Sequence, residues 1–367
     1  MDAEATVVGA GVVGAAVALA LARRGVSVVV VEAEPEPALG ASGANSGIVH
    51  TGFDSIPGEL ETGLILRSAT LRPPVLEAIG VPLHRCGATV RGSRELVANA
   101  RRNGVEVVAR DGGLLHVPAE AITDPVAYTL ALLGAAQRLG LEVRTGFSVG
   151  AIHSKDRALV MESEGGERLG SRAVVNCAGL HGDTVARLAG DVSFEIYPRK
   201  GEFLVFEPPP DEPLERILLP VPTRRTKGVL VFPTLDGKVI AGPTAVDQEA
   251  KDDWSIRPEA RDEILPKATA MWPPLEGAME IAAYAGLRPA GRGVNYLIAR
   301  SRVCAGLINV AAIRSTGLTA SLGIAEYVCG LVENAGVALR PEAPIEPVAP
   351  SAPDVPWWRR AAERSGT

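Results

Sequence analysis

The chain has 367 residues and a mass of 38.2 kDa, enough for one large two-lobed unit or two ordinary domains. A hydrophobic share of 47% with 22% charged residues excludes disorder over the whole chain, and a net charge of −6 argues against a nucleic-acid-binding protein with a broad basic face. The four cysteines and five histidines are too scattered for a disulfide framework or a metal site, so we expect reduced thiols and no metal.

The first apolar stretch, residues 5–21, has the hydrophobicity of a signal peptide. Asp2 and Glu4 precede it, however, where a signal peptide carries Lys or Arg, and glycines interrupt it. No other run reaches the roughly 20 apolar residues that cross a membrane. We therefore expect a cytoplasmic protein, free or peripheral to a membrane, with no integral membrane segment.

The N-terminal residues predict a βαβ unit. Its parts are a strand at Thr6–Val8, a glycine turn at Gly9–Gly14, a helix at Val13–Arg24 and a buried parallel strand at Ser27–Val31. A loop of glycines and small polar residues follows at Gly40–Gly52. A helix over Leu60–Ile79 is expected to break near Pro73-Pro74, because proline lacks the backbone N–H and clashes with the preceding turn.

Further along the chain, the pattern predicts a second α/β stretch and then an antiparallel sheet. The α/β stretch has a helix from Pro125 to Gly140 and strands at Leu141–Thr145, Val149–Ser163 and Glu167–Asn176. Short strands between Ile196 and Thr244, separated by turns with Pro and Gly, predict an antiparallel sheet that forms a substrate lobe. Helices are predicted again at Pro258–Met271 and Thr319–Leu331.

The residues from Arg340 onward are rich in proline and predict an extended linker. The linker ends in Trp357-Trp358-Arg359-Arg360, which we expect to be disordered; docking on a partner or a membrane surface is the alternative. A second basic run, Arg224-Arg225-Thr226-Lys227, is typical of a solvated turn rather than a binding patch.

The motif with the clearest chemistry is Gly-x-Gly-x-x-Gly, formed by Gly9, Gly11 and Gly14. In such a turn the first glycine makes the tight bend, the second lets the backbone approach a pyrophosphate, and the third lets helix and strand pack closely. Glu32 ends the second strand, where a carboxylate accepts hydrogen bonds from ribose hydroxyls. An acid here disfavours a 2′-phosphate, so the unit predicts a site for FAD or NAD rather than NADP.

A loop of small residues at 42–52 separates the FAD and NAD alternatives. The diphosphate and ring edge of a flavin need close backbone approach with few bulky side chains, and this loop supplies it. Ser42 and Asn45, taken singly, could equally serve chain reversal. His50 lies within the loop, so we predict a role beside the flavin rather than that of a buried structural histidine.

Several short segments are more specific than the glycine motif. They are, in chain order, NSGIVHTGFD at 45–54 with Pro57-Gly58, VNCAG at 175–179, GPTA at 242–245, GLRP at 286–289 and RSTGLTA at 314–320. With them the chain resembles FAD-dependent oxidoreductases of the D-amino-acid-oxidase superfamily. Within that superfamily it is most similar to glycerol-3-phosphate oxidases and dehydrogenases.

The resemblance implies an α/β fold (α+β overall) in which a Rossmann-type FAD-binding domain carries a discontinuous antiparallel-sheet substrate domain. Together with the predicted elements, it places the FAD-binding domain at residues 1–82, 124–194 and 285–337, the substrate domain at 83–123 and 195–284, and a proline-rich tail at 338–367.

For the cofactor, the resemblance implies non-covalent FAD. The residues that it assigns to FAD are Gly9, Gly11, Val12, Val13, Gly14, Glu32, Ala33, Ser42, Asn45, Ser46, Gly47, Val149, Ala178, Gly179, Arg288, Gly317, Leu318 and Thr319. Among them, Gly317–Thr319 would present a helix N-terminus to the N1/O2 edge of the flavin, where the reduced ring carries negative charge.

At the reacting centre, the resemblance makes His50 the base that takes the substrate hydroxyl proton. Arg288 would bind the substrate anion, since a guanidinium fork fits phosphate or carboxylate alike. Lys251 matches an active-site lysine of related oxidases, although it could equally belong to a solvated charged turn. Arg314 and Ser315 could touch substrate or, for Ser315, cap the helix that follows.

These roles predict oxidation of sn-glycerol 3-phosphate to dihydroxyacetone phosphate by hydride transfer to flavin N5. A 2-hydroxy acid such as L-2-hydroxyglutarate, or an amino acid, is the alternative substrate. A flavin-binding subunit that acts only within a multi-protein dehydrogenase is a further alternative. The expected partners are a small anionic substrate and an electron acceptor, which could be oxygen, a quinone or a protein.

Overall fold

The structure is a computed structural model that describes residues 2–155, 158–221, 228–349 and 354–367. Its α-helices are α1 Val12–Arg23, α2 Leu60–Ala78, α3 Arg94–Arg102, α4 Pro125–Arg138, α5 Gly182–Leu188, α6 Ala260–Met271, α7 Gly317–Asn334 and α8 Trp357–Ser365. Its strands are β1 Ala3–Val8, β2 Val28–Val31, β3 Ile48–Val49, β4 Ala88–Arg91, β5 Val108–Arg110, β6 Leu114–Val117, β7 Ala121–Ile122, β8 Glu142–Arg144, β9 Val149–Lys155, β10 Ala158–Ser163, β11 Arg168–Asn176, β12 Ile196–Glu207, β13 Ile217–Leu219, β14 Leu230–Pro233, β15 Val239–Gly242, β16 Val246–Asp247, β17 Met279–Gly291, β18 Leu297–Arg300 and β19 Leu307–Ala311.

The first sheet contains the predicted βαβ unit and has the strand order β18-β19-β11-β1-β2-β8, with β10 and β9 attached through β11. β1 runs parallel to β2 and to β11, as the continuous apolar runs indicate. α1 packs between this sheet and the helices α4 and α7, and nearly all its Ala, Val and Leu side chains are buried. The α/β fold predicted from the sequence is therefore confirmed.

The second sheet has the order β16-β12-β15-β14-β13-β4-β6-β5, with β17 on the other side of β12. Its pairs are antiparallel except for β13 with β4, which confirms the antiparallel sheet expected after Ile196. β12 and β17 pair along their whole length in a register that sets Arg199 opposite Arg288. The predicted return to the first domain at residue 285 falls inside β17, which stays in this sheet through Gly291. The division into domains otherwise remains a prediction.

β3 and β7 pair as a two-stranded ladder. It joins the chain just before β4, β5 and β6 of the second sheet to the chain just after them. Its register pairs Ile48 with Ile122 and Val49 with Ala121. Backbone hydrogen bonds of 2.9 Å in both directions also join His84 to Ile122. The ladder therefore fixes the residues on either side of it, including those that follow Val49.

The break predicted near Pro73-Pro74 is wrong, because α2 runs without interruption from Leu60 to Ala78. Both prolines lie inside the helix and remove backbone donors. α2 packs along α7 with buried side chains such as Leu64 and Ile65. This burial outweighs the lost hydrogen bonds.

The prediction of a disordered end is also wrong. Residues 357–365 form α8, and Trp357 and Trp358 retain only 5% and 2% of their exposure. Burying two indole rings supplies the apolar area that orders a short terminal helix. The two tryptophans pack in one hydrophobic cluster with Phe203 and Tyr284 of the second sheet, so they are not free to bind an outside partner or a membrane surface.

Candidate active site

Two adjoining cavities lie between the glycine turn and the second sheet. The larger, about 490 Å³, follows the carboxyl ends of the first sheet, and the smaller, about 290 Å³, lies against β12 and β17. Ala41, Asn45 and Arg314 line both, so the cavities meet at these residues. A long ligand in the larger cavity would reach the smaller one, which we call the reaction chamber.

The glycine turn shapes the larger cavity as a dinucleotide site requires. A Cβ at Gly9 would lie 2.5 Å from the carbonyl oxygen of Cys177, and one at Gly14 would overlap the carbonyl oxygen of Gly9. Gly11 is bounded by the Ser42 hydroxyl, which accepts a 2.9 Å hydrogen bond from the backbone N–H of Val12. Side chains at these positions would collide with the backbone or with Ser42, so the turn stays tight and an anionic ligand can approach the backbone at the N-terminus of α1. The cradle fits FAD.

Glu32 lies at the end of β2 on the wall of this cavity. Its carboxylate accepts hydrogen bonds from the backbone N–H of Ala10 at 2.7 Å and of Glu34 at 3.0 Å. These bonds fix the side chain beside the glycine turn, where a ribose would bind. Glu32 therefore has a structural contact in addition to its predicted ligand contact.

The structure brings most of the predicted cofactor residues to one cavity wall. Those that line the larger cavity are Gly9, Gly11, Val12, Val13, Glu32, Ala33, Ser42, Asn45, Val149, Ala178, Gly179, Gly317 and Leu318. Gly14 instead lets α1 approach the turn, and Ser46 lines the reaction chamber. Gly47, at φ +73°, packs against the carbonyl of Thr123.

α7 begins at the point where the two cavities meet. Gly317 and Leu318 line the larger cavity, while Ser315 and Thr316 line the reaction chamber. The helix has 18 residues, and its positive N-terminal end faces this junction. The N-cap is Thr316, so the alternative that Ser315 caps the helix is wrong.

His50 and Glu120 form a buried pair on the reaction chamber. The β3–β7 register continues to set His50 opposite Glu120, and Nδ1 of His50 lies 2.9 Å from Oε2 of Glu120. The other carboxylate oxygen accepts from the backbone N–H of Thr51 at 2.7 Å and from its hydroxyl at 2.8 Å. Glu120 has no exposed surface, and His50 lines the chamber. The carboxylate therefore keeps the proton on Nδ1 and leaves Nε2 as the basic nitrogen.

A hydroxyl from α7 completes the positioning of this histidine. The backbone N–H of His50 donates to Oγ1 of Thr319 at 3.1 Å. Thr319 is buried and lies outside the lining of the two cavities, so its side chain supports His50. The resemblance had given Thr319 to the flavin; its contact here is with the predicted base.

Arg288 lies on the opposite wall of the chamber. Its guanidinium donates to the backbone carbonyls of Arg199 at 3.4 Å and of Thr244 at 3.2 Å. Burial, together with the neighbouring charge of Arg199, lowers the pKa of Arg288 to about 10. The group is thus still cationic at neutral pH, and its two hydrogen-bond acceptors are neutral carbonyls rather than carboxylates. An anion in the chamber would pair with this charge.

The other arginines of the chamber have acidic neighbours. Arg199 pairs with Asp247 at 2.6 Å. Arg314 donates to the side chain of Asn295 at 2.9 Å and lies 3.8 Å from Glu61. Arg288 is therefore the better candidate for the substrate anion, with Arg314 placed at the junction of the cavities.

The structure does not bring Lys251 to the reaction chamber, which corrects the predicted substrate contact. Its ammonium lies 2.6 Å from Oδ1 of Asp183, and the side chain lines the larger cavity. Asp183 is 1% exposed and also pairs with Arg187 at 2.6 Å. A buried carboxylate requires cationic partners, so the charge of Lys251 is held by Asp183.

Sequence reasoning missed Glu120. It lies 70 residues from His50 and belongs to no recognisable motif. Only the β3–β7 register makes the two residues neighbours, so the sole signal was the pairing of two very short strands. The basic run at 224–227 lies outside the described residues.

No helix among the residues that the structure describes is long and apolar enough to cross a bilayer. No group of three or more His, Cys, Asp and Glu side chains in the same residues could hold a metal ion.

A protein-family model described as FAD dependent oxidoreductase matches residues 4–331. The chain belongs to this family. It is therefore an FAD-dependent oxidoreductase, and the larger cavity is the place whose glycine cradle and helix N-termini suit that cofactor.

Relatives and solved structures support the same fold. The chain is 27% identical to a glycerol 3-phosphate dehydrogenase of Caloramator mitchellensis over 90% of this chain and 74% of that protein. It is 29% identical to the mitochondrial L-2-hydroxyglutarate dehydrogenase of Mus musculus over 65% of this chain and 60% of that protein. The FAD-bound L-alpha-glycerophosphate oxidase of Mycoplasma pneumoniae superposes with a TM-score of 0.86 at 24% identity, covering 96% of this chain and 99% of that one.

Proposed function

We propose that this oxidoreductase converts sn-glycerol 3-phosphate to dihydroxyacetone phosphate. The observation that carries the proposal is that one small chamber is lined by both His50, which pairs with the buried Glu120, and Arg288, and that it adjoins the dinucleotide cavity. A substrate for this chamber needs a hydroxyl for the base and an anionic group for the arginine.

Proton removal falls to His50. Nε2 accepts the hydroxyl proton of the substrate, and the buried Glu120 carboxylate stabilises the imidazolium that forms. When bound, FAD supplies the hydride acceptor for the carbinol carbon. Because Thr51 fixes Glu120, the imidazole ring cannot rotate without breaking its own hydrogen bond to Oε2 of Glu120.

Substrate orientation falls to Arg288. Its guanidinium would donate charge-assisted hydrogen bonds to the phosphate, each contributing about 1.5–3 kcal/mol. Free glycerol would leave this half-buried cation without an anion, so the site discriminates against it. A chamber of about 290 Å³ also suits a small substrate.

Two relatives support the phosphate as the anionic group. Proteins named glycerol 3-phosphate dehydrogenase and glycerol 3-phosphate oxidase match 90% and 88% of this chain. The proteins named L-2-hydroxyglutarate dehydrogenase match about two thirds of it. The relatives named for glycerol 3-phosphate therefore match a larger share of this chain, which favours the phosphate substrate.

The second candidate is a 2-hydroxy acid such as L-2-hydroxyglutarate. A relative of that name is 29% identical, and the planar guanidinium of Arg288 fits a carboxylate as well as a phosphate. His50 would act on the hydroxyl in the same way. The two candidates differ in the anion that Arg288 binds, and L-2-hydroxyglutarate carries a second carboxylate that the chamber would also have to take.

Anaerobic mixing tests both candidates. The purified FAD enzyme is mixed in turn with sn-glycerol 3-phosphate, glycerol, L-2-hydroxyglutarate and glycine, and the visible flavin absorbance is followed. Bleaching by glycerol 3-phosphate alone is the expected result. Bleaching by L-2-hydroxyglutarate without the phosphate would transfer the proposal to the second candidate, and adding oxygen or a quinone to the bleached enzyme identifies the electron acceptor.

A further inference from the structure

The C-terminal helix α8 reaches the cofactor cavity. Arg364, near its end, lines that cavity together with Glu34 and Trp254. Nothing in the glycine motif or in the segments that define the family includes this arginine, since the family match ends at residue 331. A residue from the tail therefore contributes to the wall around FAD.

Arg364 joins two points of the loop that follows β2. One guanidinium nitrogen donates to the backbone carbonyl of Leu39, and Nη2 lies 2.8 Å from Oε1 of Glu34. The guanidinium also stacks on the indole of Trp254, with Cζ 4.3 Å from the ring centre. The loop bridged in this way runs on to Ser42, so its position sets one wall of the cavity.

The rest of α8 is anchored on the second sheet. Nε1 of Trp358 donates to Asp236 at 3.0 Å, and the hydroxyl of Ser365 accepts from the backbone N–H of Ala285 on β17 at 3.0 Å. The ring of Trp357 meets that of Tyr284 edge-on at 5.5 Å. The helix thus spans from β17 to the loop after β2.

Charge gives Arg364 a second role at this wall. Glu34 lines the cavity two residues after Glu32, so without a partner its carboxylate would add negative charge to a cavity that takes an anionic ligand. The ion pair with Arg364 cancels that charge and holds the carboxylate at the loop. Removing the arginine would leave a negative charge beside a negative ligand.

We propose that α8 is a strap that retains FAD, with Arg364 as the residue that positions the loop between Glu34 and Ser42. In this proposal, FAD is released when the loop moves, and the loop moves when Arg364 loses its contacts with Leu39 and Glu34. Loss of the strap therefore weakens FAD binding and speeds FAD release. The inference does not depend on which substrate the enzyme oxidises.

The test compares Arg364→Ala with Arg359→Ala, an exposed arginine on the same helix that stacks on Trp358 but does not line the cavity. FAD fluorescence reports release from diluted holoenzyme, and titration of apoprotein gives the Kd. We expect Arg364→Ala to weaken FAD binding about tenfold or more, which corresponds to about 1.4 kcal/mol, and Arg359→Ala to match the wild type. Wild-type Kd and release rate in Arg364→Ala, or equal losses in both variants, would overturn the proposal.

A second pair of variants separates loop positioning from general loss of structure. Glu34→Gln removes the repulsive carboxylate, so the double variant Glu34→Gln/Arg364→Ala should recover part of the FAD affinity that Arg364→Ala loses. Arg364→Lys keeps the charge but loses the fork and should give an intermediate Kd. A double variant with the same FAD Kd as Arg364→Ala would contradict the charge argument. A wild-type FAD Kd in Arg364→Lys would show that the two contacts made by the guanidinium, with Leu39 and Glu34, are not needed.

Discussion

Gly201 on β12 leaves the space that the guanidinium of Arg288 on β17 occupies. A Cβ built at Gly201 would lie 2.7 Å from Cζ of Arg288 and 2.9 Å from Cβ of Pro243, and it would overlap Nη2. The glycine is therefore part of the anion site although it offers no side chain. Its effect on the substrate passes entirely through the arginine.

Gly201→Ala is expected to displace the guanidinium and to lower kcat/KM for glycerol 3-phosphate by roughly ten- to a hundredfold, because the anion no longer sits in line with the base. Steady-state kinetics measure this change, and the flavin spectrum should stay that of the wild type. The matched control is Gly134→Ala on α4, where a Cβ meets only the end of Arg138 at 3.9 Å. Unchanged kinetics in Gly201→Ala would show that Arg288 does not bind substrate in this rotamer.

His50→Asn should slow flavin reduction by roughly 10²- to 10⁴-fold, the range for loss of a general base. Glu120→Gln should fall between this variant and the wild type, because the histidine stays but loses its ionised partner. Rapid mixing under anaerobic conditions gives the reduction rate and the substrate affinity separately. We expect the rate to fall while the affinity stays the same.

The exposed Glu95 on α3 provides the control for Glu120, as Glu95→Gln changes the same group far from the chamber. A fall in substrate affinity with an unchanged reduction rate in Glu120→Gln would assign Glu120 to binding and would remove the support for His50 as base.

Substrate binding should weaken as the pH rises toward 10. Burial and the charge of Arg199 lower the pKa of Arg288 to about 10, so the group is cationic below that pH and neutral above it. The KM for glycerol 3-phosphate is therefore expected to rise through this range, because a neutral guanidine no longer attracts the phosphate. Circular dichroism at each pH checks that the fold persists, and a KM that stays flat well above pH 10 would contradict the role of Arg288.

Lys251→Met should leave the KM for substrate unchanged but lower the free energy of unfolding by about 1–3 kcal/mol, because Asp183 loses one of its partners in a buried position. Burial opposes ionisation of Asp183, but the hydrogen bonds from Lys251 and other donors outweigh it and hold its pKa below the usual value. The carboxylate therefore stabilises the fold at neutral pH, and this stabilisation is lost as the pH falls through its folded pKa.

Without Lys251 that loss begins at a higher pH, so the acid midpoint of Lys251→Met should move upward. Urea unfolding at several pH values measures both effects, with the exposed Lys267→Met as control. A large rise in KM with no change in stability would restore the interpretation of Lys251 as a substrate ligand.

Local spacing in the sequence predicted the cofactor half of the site. Gly9, Gly11, Gly14 and Glu32 lie within one βαβ unit, where short-range geometry determines what can face the ligand. His50 was found in the same way, from its place in a loop of small residues. Each of these residues acts near its own position in the chain.

The residues that sequence reasoning missed or misplaced depend on contacts between distant segments. Glu120 reaches His50 through a two-stranded ladder, and Arg364 reaches the cavity because two tryptophans dock the tail. Lys251 is a cation near the site, as a substrate ligand would be, but its ammonium pairs with the buried Asp183 instead. Composition and spacing carry no information on which of several surfaces a segment will pack against.

The ladder of β3 and β7 has a consequence for how this enzyme could acquire new substrates. The chain from His84 to Ile122 leaves and returns at one place, where backbone hydrogen bonds join its two ends, and it contributes β4, β5 and β6 to the second sheet in between. Glu120, next to the fixed end of this excursion, keeps its place opposite His50 through the backbone pairing of the ladder. The amide of Asn103, inside the excursion, donates to the carbonyls of Gly52 and Ser55, so a change of substrate lobe that keeps this asparagine and the two fixed ends leaves the base in place.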